Sequence, residues 1–114
     1  MSNKNYFLTG LTEMLILSFL KKRDFYAYEI AKNISDYSDG MLNISHNTVY
    51  AIIYRLVDNG YISEYSERVG RRRTRVYYHL QPSGAHYLAQ LEDNFSSAIA
   101  AVQKIHKTLY EEED

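Results

Sequence analysis

The C-terminal third of the chain carries an uninterrupted helical pattern, which constrains the fold more than any other feature. The only proline is Pro82, and no glycine follows Gly84. Apolar residues then alternate at intervals of three and four: Leu88, Leu91, Phe95, Ala98, Val102, Ile105 and Leu109. This heptad spacing predicts a helix from Ser83 to Tyr110, about 40 Å long at 1.5 Å per residue. Such a helix extends beyond the core of a 114-residue chain, so we expect this seam to pair with a second copy.

Three shorter helical patterns precede this segment. Apolar residues on most sides of Leu8–Lys22 predict a first helix that packs against several neighbours. Phe25–Ile34 has apolar residues four apart and predicts a second helix, opened by Asp24 or a residue near it. Ser45 can cap a third helix, which Asn59-Gly60 would end. Its apolar stripe consists of Val49, Ile52, Ile53, Leu56 and Val57.

Two short alternating segments, Tyr61–Tyr65 and Val76–Leu80, predict a β-hairpin whose polar tip contains Gly70. The whole order indicates a mainly α (α+β) fold: a winged helix-turn-helix with a two-stranded β wing and a long C-terminal dimerisation helix. We assign residues 1–81 to the winged helix-turn-helix domain, 82–110 to the dimerisation helix and 111–114 to an acidic tail.

Composition excludes several classes of protein. Without cysteine, the chain forms no disulfide and offers no thiolate to a metal or substrate. No apolar run approaches the ~20 residues of a membrane span, and no signal peptide is evident, so we expect a cytoplasmic protein. The four histidines lack metal-ligand spacing, and no catalytic motif is present. We therefore expect no enzyme activity, no cofactor and no metal site.

The third helix has a polar face opposite its apolar stripe. At 100° per residue this face holds Asn47, Tyr50, Ala51, Tyr54 and Asp58, with His46, Thr48 and Arg55 at its edges. Amide, hydroxyl and guanidinium groups can read base edges in a major groove, and a small alanine permits close approach. A solvated face, with tyrosines covering hydrophobic neighbours, is the alternative interpretation.

The arginines of the hairpin favour contact with nucleic acid. Five arginines lie between Arg68 and Arg75, and only Glu64 and Glu67 are near them in sequence. Their mutual repulsion is relieved by an anion, and a guanidinium group matches phosphate oxygens or enters a narrow minor groove. We therefore predict contacts with double-stranded DNA from Ser45, His46, Asn47, Thr48, Tyr50, Ala51, Tyr54, Arg55, Arg71, Arg72, Arg73 and Arg75.

A series of motifs between about residues 8 and 109 adds a family resemblance. In order they are LTEMLIL at 11–17, YAYEI at 26–30, NTVYAIIYRL at 47–56, NGYI at 59–62, GRRR at 70–73, YYHL at 77–80 and Gly84. On these motifs the chain resembles the PadR family of bacterial transcriptional regulators, specifically its short members with one C-terminal helix. The resemblance implies a homodimer that binds an inverted-repeat operator, usually as a repressor. Asn47 and Ala51 depart from the residues usual in the family, so we transfer no operator preference.

The resemblance also implies a small, often aromatic, effector that releases DNA. In some short members this molecule enters a cavity at the dimer interface, lined by the last helix and by the first helix of the other subunit. The residues that would line it here are Leu11, Met14, Leu15, Phe95, Ala98 and Ile99. Phe95 is alternatively a plain core residue of the seam.

Two further functions stay open at this point. A nucleoid-type DNA-binding protein would use the same surfaces with little sequence preference. A winged helix that binds another protein would not need the arginines at the hairpin tip. Repressors and activators use the same DNA contacts, so the sequence does not separate them.

Overall fold

A computed structural model describes residues 5–111 as helices and strands in the predicted order, with one added strand. The elements are α1 (Asn5–Lys22), β1 (Phe25–Tyr26), α2 (Ala27–Tyr37), α3 (His46–Asp58), β2 (Ile62–Arg68), β3 (Thr74–Leu80) and α4 (Pro82–Glu111). The strands form one antiparallel sheet in the order β1-β3-β2. The winged helix-turn-helix with a long terminal helix is confirmed. Of the predicted acidic tail, Glu111 belongs to α4 and the last three residues lie outside the described residues.

Helix α1 lies at the centre of the core and contacts the other three helices and β3. This explains why its apolar residues occupy most sides of the helix, since each side meets a different neighbour. The largest fully buried apolar side chains come from α1, α2, α3, β2 and α4: Ile16, Leu17, Ile30, Ile53, Leu56, Ile62 and Leu88. One core therefore joins the predicted DNA-binding domain to the start of the predicted dimerisation helix.

The start of the second helix differs from the sequence prediction. Phe25 and Tyr26, expected to be helical, form β1 and pair with Tyr78 and Tyr77 of β3. Successive residues of a strand point to opposite sides, so Phe25 enters the core while Tyr26 stays on the outer face of the sheet. Helix α2 begins only at Ala27.

Asp24 has a role other than the predicted helix cap. The residue that precedes α2 is Tyr26, which makes no side-chain capping bond. The Asp24 carboxylate instead accepts hydrogen bonds from the Tyr65 hydroxyl at 2.7 Å and from His79 Nδ1 at 2.8 Å. It therefore ties the segment between α1 and β1 to both strands of the wing.

Both predicted ends of α3 are confirmed. Ser45 Oγ accepts a hydrogen bond from the backbone N–H of Thr48 at 3.1 Å, which caps the first turn. At the other end Asn59 is followed by Gly60, whose φ of +78° is the left-handed conformation that ends many helices. The N–H of Gly60 donates to the carbonyl of Val57 at 2.9 Å, so the end of the helix is set by a hydrogen bond between residues three positions apart.

The wing is longer than predicted. Strand β2 extends to Arg68 and strand β3 begins at Thr74, and these two residues pair with each other. The turn between them is closed by a hydrogen bond from the N–H of Val69 to the carbonyl of Arg73 at 3.1 Å. The outer arginines of the cluster thus belong to the strands, and the inner three form the tip.

Helix α4 begins in direct contact with the turn that ends α3. A Cβ on Gly84 would lie 2.1 Å from the Tyr61 carbonyl oxygen, so only glycine allows this approach. The Ser83 hydroxyl donates to the carbonyl of Gly60 at 2.8 Å. Beyond Leu91 every described residue of α4 is exposed, and the molecule measures 69 × 29 × 29 Å. The helix therefore projects out of the body, as its length required.

Candidate nucleic-acid interface

The outer face of α3 carries the residues predicted to read DNA. His46, Asn47, Ala51 and Tyr54 are exposed, whereas Tyr50 is half-buried and packs against the core. Ser45 and Thr48 hydrogen-bond to each other through their hydroxyls at 2.8 Å. Their side chains are therefore committed to the helix cap, and the free polar groups of this face belong to its other members.

An aromatic cluster covers the first turn of α3. The His46 ring lies between two tyrosine rings, with centroids 5.1 Å from Tyr28 and 6.1 Å from Tyr50. Tyr28 comes from the first turn of α2 and is half exposed. Tyr28 is not among the residues predicted from the sequence, because its contact with His46 depends on how α2 packs against α3. The cluster fixes the His46 imidazole at the edge of the outer face of α3.

Arg55 lies on the side of α3 that borders α1. Its Nη2 is 3.8 Å from Oε2 of Glu13, a half-buried residue of α1. Beside it, an open groove of about 210 Å³ separates the first turns of α1 from α3, bordered by Leu8, Thr9, Thr48, Ala51, Ile52 and Arg55. Glu13 is likewise not among the predicted site residues, because it lies 42 positions from Arg55 and no local pattern pairs the two.

The wing tip presents three arginines without an acidic partner. Arg71, Arg72 and Arg73 are exposed, and within residues 5–111 no carboxylate lies within 4.0 Å of their guanidinium groups. Arg68 shapes the tip, since its Nη2 donates to the carbonyl of Arg71 at 2.6 Å. The charges of the tip are therefore free to meet an external anion.

Arg75 is held at the base of the wing. Its guanidinium carbon lies 4.1 Å from the ring centroid of Tyr26, an arrangement that favours a cation–π interaction. Across the hairpin it faces Glu67. It is the least exposed of the predicted DNA-binding arginines, and its side chain helps to attach the wing to β1.

The predicted ligand residues divide into two groups. Four of them, Leu11, Met14, Phe95 and Ala98, line one cavity of about 240 Å³ between α1 and α4, together with Phe7, Gly10, Leu91 and Asn94. Leu15 packs against the core without lining the cavity, and Ile99 lies exposed on α4 outside it. Phe95 is 37% exposed, so this cavity opens to solvent in the single chain.

The predicted seam of α4 is buried only at its start. Leu88 is in the core and Leu91 packs against it. The later members stay exposed, with Val102, Ile105 and Leu109 near half of their full accessibility. This leaves a continuous apolar strip along the projecting part of the helix.

Neither a metal centre nor a membrane span is evident in the described part of the chain. Between residues 5 and 111, no three side chains of the metal-binding types come together. No helix in the same range has the length and apolar character needed to cross a membrane.

Comparisons with known proteins agree with this architecture. A model of the Transcriptional regulator PadR-like family matches residues 16–90. A transcriptional regulator from Clostridium thermocellum is 33% identical, with a TM-score of 0.79 over 91% of this chain and 96% of that one. A Streptococcus mutans protein is 32% identical, with a TM-score of 0.76 over 87% and 89%.

A more distant structure is that of Bacillus subtilis PadR in complex with operator DNA. It is 22% identical, with a TM-score of 0.65 over 70% of this chain and 45% of that chain, and so shares the fold. The family is one of transcriptional regulators and not of enzymes. With two thirds of its residues matched by the family model, this chain belongs to the PadR-like family of transcriptional regulators.

Proposed function

We propose that the chain is a homodimeric repressor that binds duplex DNA at an inverted-repeat operator in the cytoplasm. The observation that carries this proposal is the wing tip, where three exposed arginines have no acidic partner among residues 5–111. Like charges concentrated on one short turn favour the binding of a polyanion. The operator-bound relative with the same fold supports DNA as that polyanion.

In this proposal the two surfaces have separate tasks. Arg71, Arg72 and Arg73 contact phosphates or enter the adjacent minor groove, which gives affinity and fixes the orientation of the protein. Asn47 and Tyr54, exposed on α3, contact base edges in the major groove and give sequence preference. Arg75, stacked on Tyr26, keeps the wing at a fixed angle to the body.

The exposed strip of α4 supports the dimer. A soluble monomer rarely leaves a continuous apolar strip uncovered, and the heptad repeat of this strip suits a second identical helix. Pairing through α4 would hold two copies of α3 at one separation, which sets the spacing of the half-sites.

The cavity between α1 and α4 supports a planar aromatic effector. Its walls are almost entirely apolar, and Phe95 offers a ring on which a flat molecule can stack. At about 240 Å³ the cavity of the single chain is somewhat smaller than most ligand sites, and a second α4 across the opening would deepen it. A ligand bound there would favour one spacing of the reading helices over another and so release DNA.

DNA binding is tested by selecting a preferred site from random duplexes and measuring affinity for it over a series of salt concentrations. Affinity falls as salt rises, and Arg72→Ala should make the slope of log affinity against log salt shallower by about 0.9 for each phosphate that the variant no longer neutralises. Lys107→Ala is the matched control, because Lys107 is an exposed cation on the side of α4 away from the seam. An equal effect of the two substitutions contradicts the role of the wing.

The dimer is tested by sedimentation of Ile105→Glu against Gln103→Glu. The first substitution puts a carboxylate into the exposed strip, and the second adds the same charge away from it. We expect the parent and Gln103→Glu to sediment as dimers and Ile105→Glu as a monomer with weakened DNA binding. A parent chain that sediments as a monomer contradicts the proposal.

Two alternatives give different results in the same assays. A nucleoid-type protein would bind selected and random duplexes with similar affinity at one salt concentration. A protein-interaction module would bind neither, and replacement of Arg71, Arg72 and Arg73 by alanine would leave its interactions intact.

A further inference from the structure

A single carboxylate connects the reading helix to the long terminal helix. Glu13 of α1 has a side chain only 14% exposed. Its Oε1 accepts a hydrogen bond from the Tyr87 hydroxyl of α4 at 2.7 Å, and its Oε2 lies 3.8 Å from Nη2 of Arg55 in α3. Three helices therefore meet at one charged group.

The two partners of this carboxylate are held with unequal strength. The Tyr87 ring stacks on Tyr61, with centroids 4.3 Å apart and planes 10° from parallel, so the hydroxyl is fixed by packing. Burial, together with the hydrogen bond to Glu13, raises the pKa of Tyr87 to about 12, so this hydroxyl remains a proton donor at neutral pH. Arg55, by contrast, has a long contact and a side chain 54% exposed.

An exposed guanidinium with one long contact can exchange partners. Ion pairs that solvent reaches contribute little to stability. A phosphate can accept two parallel N–H bonds from the same guanidinium, whereas Glu13 makes one contact with it at 3.8 Å, so a phosphate is the stronger competitor. Arg55 also borders the open groove between α1 and α3, so it has space to turn away from Glu13.

We propose that Glu13 is a positioning residue that restrains Arg55 from the DNA backbone, and that the Tyr87 hydroxyl weakens this restraint by sharing the carboxylate. The inference rests on the proposed DNA-binding function and assigns a route by which α4 affects α3. When α4 shifts against α1 and Tyr87 leaves Glu13, the carboxylate holds Arg55 more strongly and DNA affinity falls. By thermodynamic linkage, DNA that binds Arg55 in turn strengthens the contact between α1 and α4.

The test is the salt dependence of DNA affinity, measured by titration of a labelled duplex with the full-length protein. Glu13→Gln removes the charge that restrains Arg55, so the slope should become steeper by about 0.9 for each additional phosphate that the protein neutralises. Tyr87→Phe keeps the ring stacked on Tyr61 and removes only the hydroxyl, so the slope should become shallower and affinity should fall several-fold.

A double variant isolates the route. In the background of Arg55→Gln, neither Glu13→Gln nor Tyr87→Phe should change the slope, since the cation on which they act is absent. Glu111→Gln, which removes an exposed carboxylate at the far end of α4, controls for net charge. If Glu13→Gln leaves the slope unchanged or makes it shallower, or acts equally without Arg55, the inference is wrong.

Failure of the two proposals can be told apart. Should the parent chain bind no duplex at any salt concentration, the proposed function is wrong and this inference with it. Should the parent bind while the substitutions act independently of Arg55, only the inference is wrong. Because Tyr87→Phe preserves the packed ring, it tests the route even if Glu13→Gln folds poorly.

Discussion

Gly84→Ala should loosen the junction between α4 and the body of the protein. The added Cβ would lie 2.1 Å from the carbonyl oxygen of Tyr61, 3.0 Å from its carbonyl carbon and 2.8 Å from Cδ1 of Leu80. The leucine methyl can move, but the Tyr61 carbonyl is backbone that follows directly on the end of α3. Relief therefore requires α4 itself to move away.

The expected effect follows from this geometry. Overpacking of a tight contact costs about 1–3 kcal/mol, and a rigid backbone partner places this substitution near the upper value. Alanine returns at most about 1 kcal/mol through its better helix propensity. The free energy of unfolding should therefore fall by about 2 kcal/mol. With an unfolding entropy of about 2.1 cal/mol/K per residue, this corresponds to a Tm lower by about 8 °C.

Thermal unfolding at matched protein concentration provides the assay, since Tm of a dimer depends on concentration. Gly10→Ala is the matched control, because a Cβ there meets nothing within 4 Å. Because Gly10 lies within α1, where alanine favours the helix more than glycine does, Gly10→Ala should raise Tm by up to about 4 °C. A Gly84→Ala protein as stable as the parent would show that the contact between α4 and Tyr61 is not as close as described.

Three further substitutions test other contacts. Burial raises the pKa of Asp24, but hydrogen bonds from His79 and Tyr65 bring it below its ordinary value of 3.8. The ionised Asp24 carboxylate therefore stabilises the fold above pH 3.8, and this stabilisation is lost as the pH falls through the lowered pKa. In urea unfolding, Asp24→Asn should be less stable than the parent at neutral pH and as stable as the parent in strong acid. Ser45→Ala removes the α3 cap and should lower the unfolding free energy by about 1 kcal/mol in the same assay. Planar aromatic compounds should raise Tm and weaken DNA binding of the parent, and neither response should survive in Phe95→Ala.

Elements whose signals are local could be predicted from the sequence. The ends of α3 follow from Ser45 and Gly60, which act on backbone groups within one turn. The extent of α4 follows from its spacing and from the absence of breakers. Strand β1 could not be predicted this way, because Phe25 and Tyr26 are held by pairing with residues more than 50 positions away in β3.

The candidate site divides along the same line. The arginine tip is a run of adjacent residues, so its charge is visible in the sequence, although only the structure separates the free Arg72 from the stacked Arg75. Glu13 and Tyr28 lie within the motifs at 11–17 and 26–30, but no pattern in the sequence pairs them with Arg55 and His46, because helix packing brings these residues together. The predicted ligand residues show the same limit, since Met14 lines the cavity whereas its neighbour Leu15 does not, although both pack against the core.

In the proposed dimer, the junction of α4 with the body determines how a movement caused by a ligand would reach the DNA-binding helix α3. No flexible linker separates α3 from α4: the turn after α3 leads into β2, and α4 packs directly on that turn through Gly84 and Ser83. A semi-rigid connection transmits a change of angle, whereas a flexible linker would absorb it. In the proposed dimer, a shift at the seam would therefore change the separation of the two reading helices. The contact from Tyr87 through Glu13 to Arg55 would add a change in affinity within each copy, so spacing and affinity would change together.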